Sequence, residues 1–263
     1  MADRSRLWPV LVAYVGAFVA IVVLSVVAGG ILRTLYPDLP EHAVFDGLPG
    51  LLAGGIASST ALLLTVLIAT GGASPAGLRL VPGRETGRTL SVMVVGMLAL
   101  GQMLDSLTML AGLGQHGSLV AIRRALAQAV GPQLFLAVVV IGVLAGTAEE
   151  VFFRAYMQTR LRERFLPATA VVIAGAGFGI LHLEWLHALL ALALGLYLGW
   201  ITEWAGSALP AVVCHVINNV LFTILTVAWG TLEGVALNAG LTAVCALAFA
   251  GCVVWLRRVR PTL

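Results

Sequence analysis

Lysine is absent from the 263-residue chain, and charged residues of every kind account for only 10% of it. Soluble domains average roughly 25% charged residues, and nucleic-acid binding draws on clustered lysine and arginine, so neither class fits. Cysteine is scarce as well. Cys214, Cys245 and Cys252 lie within apolar runs and have no ligand-like spacing to histidine, which excludes a disulfide framework and leaves small buried hydrophobes as the reading. No serine sits in a G-x-S-x-G setting, no H-E-x-x-H helix is present, and no internal repeat is visible.

What the chain does have is apolar sequence, 60% of its residues. A helix needs about 20 apolar residues to cross a bilayer, and runs of that length recur from Leu7 onward with few breaks. Eight spans are expected, at about 7 to 32, 47 to 70, 90 to 113, 132 to 156, 167 to 185, 187 to 203, 207 to 229 and 234 to 256. The first run is too long for a cleavable signal, whose apolar region is about 7 to 15 residues, and reads as a span. Arginine supplies all the positive charge. With alternating spans, Arg4, Arg6, Arg79, Arg84, Arg88, Arg160, Arg162, Arg164, Arg257, Arg258 and Arg260 fall on one side, against Arg33, Arg123 and Arg124 on the other. That asymmetry predicts a multi-pass protein of the cell (inner) membrane with both termini cytoplasmic.

Two connections stand out. Ser118 to Val130 spaces Leu119, Ile122, Leu126 and Val130 along one helical face and is expected to lie flat at the outer surface. The stretch GGASPAGLRLVPGRETGR reads as a cytoplasmic connector. Three G-x-x-x-G pairs, Gly50 with Gly54, Gly142 with Gly146 and Gly195 with Gly199, indicate close helix packing.

The informative residues are the charged ones inside spans. Glu149, Glu150 and Arg154 sit in GTAEEVFFRAYM, and together would cost roughly 8 to 10 kcal/mol if they faced lipid. They therefore face protein or water. Glu150 and Arg154 are four apart, on one face and in the favourable order for an ion pair. Glu149 is rotated from Glu150 by about 100° and is left for another partner. The next span brings His182, with Phe178 four residues before it. Phe165 and Leu166 lie midway between Glu149 and His182, so a bend there sets both at one depth. A later span supplies His215 and Asn219 on one face, with Asn218 close by. Acid, imidazole and amide groups from three spans make a constellation suited to chemistry. Asp105 and Gln102 read as interhelical hydrogen-bond partners, while Glu184, His187, Glu203 and Glu233 read as interfacial residues near span ends.

EEVFFR (Glu149 to Arg154), FGILH (Phe178 to His182) and HVINN (His215 to Asn219) resemble the E-E-x-x-x-R, F-x-x-x-H and H-x-x-x-N motifs of the CAAX prenyl endopeptidase and bacteriocin-processing (abortive-infection) family of intramembrane proteases, CPBP. The resemblance covers about residues 132 to 226. It implies an all-α bundle of about eight helices around a polar cavity opening to the cytoplasm, and hydrolysis of a peptide bond in a membrane-associated protein or peptide. Under it, Glu149 is the general base that activates water, assisted by His182. His215 and Asn219 hold the scissile carbonyl, and Glu150 and Arg154 support them. Glu149, His182 and His215 also make a His₂Glu set of the kind a catalytic zinc takes, the alternative being a metal-free site.

The expected organisation is then residues 1-131 as N-terminal membrane helices and loops, 132-226 as the catalytic core, and 227-263 as a last membrane helix with a basic tail. The lipid bilayer and a membrane-associated substrate are the expected partners, with no nucleic acid. Two other readings remain open on the residues alone. One is a non-proteolytic protein of the same fold, an immunity factor or scaffold; the other is a small carrier using Glu149 and Arg154 midway across the membrane.

Overall fold

In a computed structural model, which describes residues 7–127 and 129–259, every regular element is helical. The elements are α1 (Trp8–Leu35), α2 (Glu41–Phe45), α3 (Leu48–Thr70), α4 (Gly87–Leu110), α5 (Ser118–Leu126), α6 (Pro132–Arg162), α7 (Pro167–Ile180), α8 (Trp185–Ala205), α9 (Leu209–Trp229) and α10 (Val235–Val259). Arg4, Arg6 and Arg260 lie outside the described residues.

Seven of these helices, α1, α3, α4, α6, α8, α9 and α10, are long and apolar enough to cross a membrane. The expected fifth span differs. It is realised as α7, a helix of 14 residues whose length of about 21 Å falls short of a full crossing. Its apolar run is cut at Leu181 to Glu184, where Leu183 takes a left-handed φ of 61° and reverses the chain. An exposed leucine in that conformation costs about 1 kcal/mol, and the reversal brings α8 back along α7. Glu184 secures it by accepting from the backbone N–H groups of Leu186 (2.9 Å) and His187 (3.0 Å), capping α8. Proline in the first turn starts α6, α7 and α9, where its missing N–H costs nothing.

The bundle is arranged around α6, which packs on α3, α7, α8 and α9, while α10 lies along α4 and α1 along α3. Polar residues turn inward and apolar ones outward, as lipid demands. Val12, Val19, Val23 and Val26 of α1 and Val244 and Leu247 of α10 are exposed, whereas Glu150, Arg154 and Gln158 of α6 are fully buried. Two of the three G-x-x-x-G pairs lie at helix crossings. Gly142 and Gly146 meet Val220 and Val216 of α9, and Gly195 and Gly199 meet Gly175 and Val171 of α7. Gly54, by contrast, faces open space.

Contacts between distant parts of the chain define one end of the bundle. Tyr156 donates to the Pro9 carbonyl (3.4 Å), Trp204 Nε1 to the Leu256 carbonyl (2.9 Å) and Arg84 Nη2 to the Glu203 carbonyl (3.2 Å). The start of α1, the 71–86 link and the ends of α6, α8 and α10 therefore meet there. Glu203, expected at an exposed interface, is instead the centre of a network at this end, only 12% exposed. Its oxygens lie 2.8 Å from Arg79 Nη1, 2.9 Å from Arg162 Nε and 2.9 Å from Gln158 Nε2. The opposite end carries the α2–α3 link, α5 and the 230–234 link. Ser118 to Leu126 of the expected surface helix is helical, and its inner face packs against Leu48 and Leu51 of α3 and Val227 of α9.

A Cβ at Gly142 would lie 2.6 Å from Val220 Cγ2 with the Val220 backbone behind it at 3.3 Å. Gly142→Ala is accordingly expected to cost about 1 to 3 kcal/mol, read as a lower thermal midpoint in detergent. Gly54→Ala, with nothing within 4 Å, is expected to show no loss.

Candidate active site

The backbone of α6 is not a uniform α-helix. Its hydrogen bonds widen to the i→i+5 pattern over Val138–Ala145 and again over Val151–Gln158, leaving one regular turn, Gly146–Glu150, between them. Both glutamates sit on that turn. Widened turns of this kind are frequent at functional sites.

Glu150 points into the protein and is fully buried. Its Oε1 accepts from Arg154 Nη1 at 3.1 Å and lies 2.7 Å from His215 Nδ1, while Oε2 is in ion-pair contact with Arg154 Nε at 3.1 Å, outside hydrogen-bond angle. Since a carboxylate accepts, His215 carries a proton on Nδ1 and directs Nε2 the other way. That nitrogen faces Glu149, 3.5 Å from its Oε2. Arg154 is anchored beyond the pair by donating to the Gly195 carbonyl of α8 (3.0 Å), with its guanidinium 4.8 Å from the Phe178 ring centre. The ion pair expected from the i,i+4 spacing is thus formed, and it holds the imidazole of a third helix as well.

His182 lies just past the end of α7. Its Nδ1 is 2.9 Å from the Phe178 carbonyl, which can only accept, so this nitrogen donates and Nε2 is left free. Phe178 stands edge-on to both imidazoles, its ring centre 4.9 Å from that of His182 and 5.8 Å from that of His215. Asn219 donates from Nδ2 to the Ile141 carbonyl in the first widened stretch of α6 (3.3 Å), and its Oδ1 accepts from Asn218 (3.3 Å). Both ends of the Asn219 amide are therefore oriented.

Glu149, His182, His215 and Asn219 line one cavity of about 780 Å³. Glu150 and Arg154 lie behind its wall, buried and paired. The cavity also takes in residues given a bland reading from the sequence. His187 lines it with its ring 4.2 Å from that of His182, and its Nδ1 is 3.1 Å from Ser118 Oγ at the start of α5. Asp105 and Arg123, ion-paired between α4 and α5, line it too, as does Asn218. The five-residue spacing from His182 to His187 could have marked the second histidine, but only the tight reversal at Leu183 brings both rings to one wall.

Among the described residues no three histidine, cysteine, aspartate or glutamate side chains stand close enough together to hold a metal ion. His215 is held through Nδ1 by Glu150, which leaves its Nε2 turned toward Glu149. Glu149, His182 and His215 therefore face a shared space without forming a ligand cluster, and the chemistry below takes no step through a metal.

The fold and this cavity define a polytopic helical membrane protein with a carboxylate, imidazoles and an amide sheltered from lipid. The segment from 131 to 221, which carries all seven defining motif residues, matches the family model described as type II CAAX prenyl endopeptidase Rce1-like. No curated protein and no solved structure matches the chain.

Replacing Arg154 with methionine leaves the Glu150 carboxylate without its cation, a change expected to cost about 3 to 5 kcal/mol. The double variant Glu150→Gln/Arg154→Met is expected to be less destabilised than Arg154→Met alone. Chemical unfolding in mixed micelles, with the two singles and the double compared, measures this.

Proposed function

We propose that the protein is an intramembrane endopeptidase in which Glu149 activates water for attack on a peptide bond of a membrane-associated protein or peptide. The single observation that supports this reading most is the convergence on one cavity of Glu149, His182, His215 and Asn219 from three helices, with Glu150 and Arg154 locked behind them.

The chemistry balances with these groups alone. A water between Glu149 and the free Nε2 of His182 gives a proton to Glu149 as its oxygen attacks the carbonyl carbon. His215, when doubly protonated, offers an Nε2–H to the developing oxyanion, and the second Nδ2 hydrogen of Asn219 offers another. Glu149 then passes its proton to the departing amine nitrogen as the C–N bond breaks, leaving a carboxyl on one product and an amine on the other. Glu150 and Arg154 act on this sequence only through His215, by fixing its ring. Apolar walls around the cavity strengthen each of these hydrogen bonds by excluding bulk water.

We further place the protein in the cell (inner) membrane with both ends of the chain cytoplasmic, on the strength of the arginine asymmetry, eleven against three. The network of Arg79, Arg162 and Glu203 belongs to that basic end.

Glu149→Gln removes the base while keeping shape and hydrogen bonding, and is expected to lower cleavage about 10² to 10⁴-fold. His182→Ala is expected to fall comparably, with membrane insertion and thermal midpoint unchanged in both. A comparison of membrane-associated peptides in cells carrying wild-type protein or Glu149→Gln identifies the substrate; full cleavage by either variant would remove the assignment.

A further inference from the structure

Asparagine occurs at three positions in the chain, Asn218, Asn219 and Asn238, and the first two are neighbours on α9. Successive side chains of a helix point about 100° apart and do not ordinarily face each other. Here the two amides touch. Asn218 is buried, and its Nδ2 donates to Asn219 Oδ1 at 3.3 Å. Its own Oδ1 is buried as well and accepts no hydrogen bond among the described residues. That oxygen lies against α4 at Gly101, where a Cβ would stand only 2.7 Å from it.

A buried amide oxygen without a donor is destabilising, and an apolar side chain of similar size would remove that cost. Polar residues inside membrane bundles often serve as hydrogen-bonded ties between helices. Asn218 is no such tie. Its contact with α4 is to a glycine that offers its oxygen no donor, and its one hydrogen bond among the described residues stays on its own helix. What the side chain does accomplish is next to it. Asn219 Nδ2 donates to the Ile141 carbonyl at 3.3 Å, and that bond alone leaves the amide free to swing about it. A second anchor on Oδ1 fixes the amide plane, so that the remaining Nδ2 hydrogen keeps a single direction. Gly101, Ile141, Asn218 and Asn219 all line the cavity that holds Glu149.

From this we infer that Asn218 is a positioning residue for the reaction: it acts through Asn219, whose amide it holds in the plane that aims a hydrogen at the scissile carbonyl. Gly101 is the small residue that admits it. The inference rests on the endopeptidase reading for the task given to Asn219. It accounts for an unmatched polar atom in a helix where leucine or valine would pack at lower cost.

The scarcity of asparagine makes the test direct. Protein in detergent micelles, with an NMR-active nitrogen isotope in its asparagine side chains, presents three amide groups. In Asn218→Leu and Asn218→Ala the Asn219 amide is expected to shift and to exchange its hydrogens with water about 5-fold faster, as loss of one net hydrogen bond implies. Asn238, held by the Leu232 and Gly234 carbonyls at 3.0 Å each, is expected to stay unchanged and serves as the internal measure of folding. Gly101→Ala, which alters neither asparagine, is expected to shift both Asn218 and Asn219. An Asn219 amide that keeps its wild-type position and exchange in the two Asn218 variants overturns the inference. In cells, the membrane peptide that accumulates uncut with Glu149→Gln is expected to be cut about 10 to 100-fold more slowly by Asn218→Leu than by wild type. Cutting at the wild-type rate likewise overturns the inference. The amide signals need no turnover, so their failure is distinct from failure of the endopeptidase reading, which shows as cleavage that survives Glu149→Gln.

Discussion

A carboxylate with no water around it is the constraint on which the rest of this structure depends. Glu150 is fully buried in a helix that lipid surrounds at a distance, and it is tolerated there only because Arg154 and His215 meet it from two sides. Removing both charges together would cost little by the usual accounting of buried pairs. What the triad supplies in return is orientation. Arg154 ties α6 to α8 through the Gly195 carbonyl, and Glu150 ties α6 to α9 through His215, so the three helices that surround the site share one electrostatic knot.

That knot decides what Glu149 can do. Adjacent on the same regular turn yet rotated away, Glu149 looks into the cavity with its side chain 23% exposed, while its neighbour is spent on structure. Two chemically identical side chains thereby meet different surroundings, one paired and buried and the other facing the cavity. The widened stretches of α6 on either side contribute to the same end. One offers the Ile141 carbonyl to Asn219, and the other carries Phe152, Phe153 and Tyr156 into a buried apolar cluster. The Asn219 anchor and these aromatic residues are thus parts of one helix.

Much of this was legible in the linear chain, for a physical reason. Lipid penalises an unpaired charge so heavily that Glu149, Glu150 and Arg154 stand out against an apolar background as they would not in a soluble protein. The i,i+4 spacing of Glu150 and Arg154 needs no tertiary information, and their pairing is observed. The G-x-x-x-G pairs were less uniform, since Gly142 with Gly146 and Gly195 with Gly199 sit at crossings whereas Gly54 does not. Residues near span ends were hardest to read. Glu203 and His187 occupy similar positions by hydropathy, yet one is locked into an ion network and the other lines the cavity, because burial there depends on which neighbouring helix arrives.

Helix number, the inward placement of the charged residues and the grouping of the motif residues follow from local properties: apolar run length, turn periodicity and the cost of charge in hydrocarbon. The shortness of α7, the attachment of His215 to Glu150 and the recruitment of His187 belong to the tertiary structure. Each depends on a contact between residues far apart in the chain or on a single backbone reversal such as that at Leu183. Neither composition nor spacing encodes those, because hydropathy registers how much a segment avoids water and says nothing about which distant residue will pack against it.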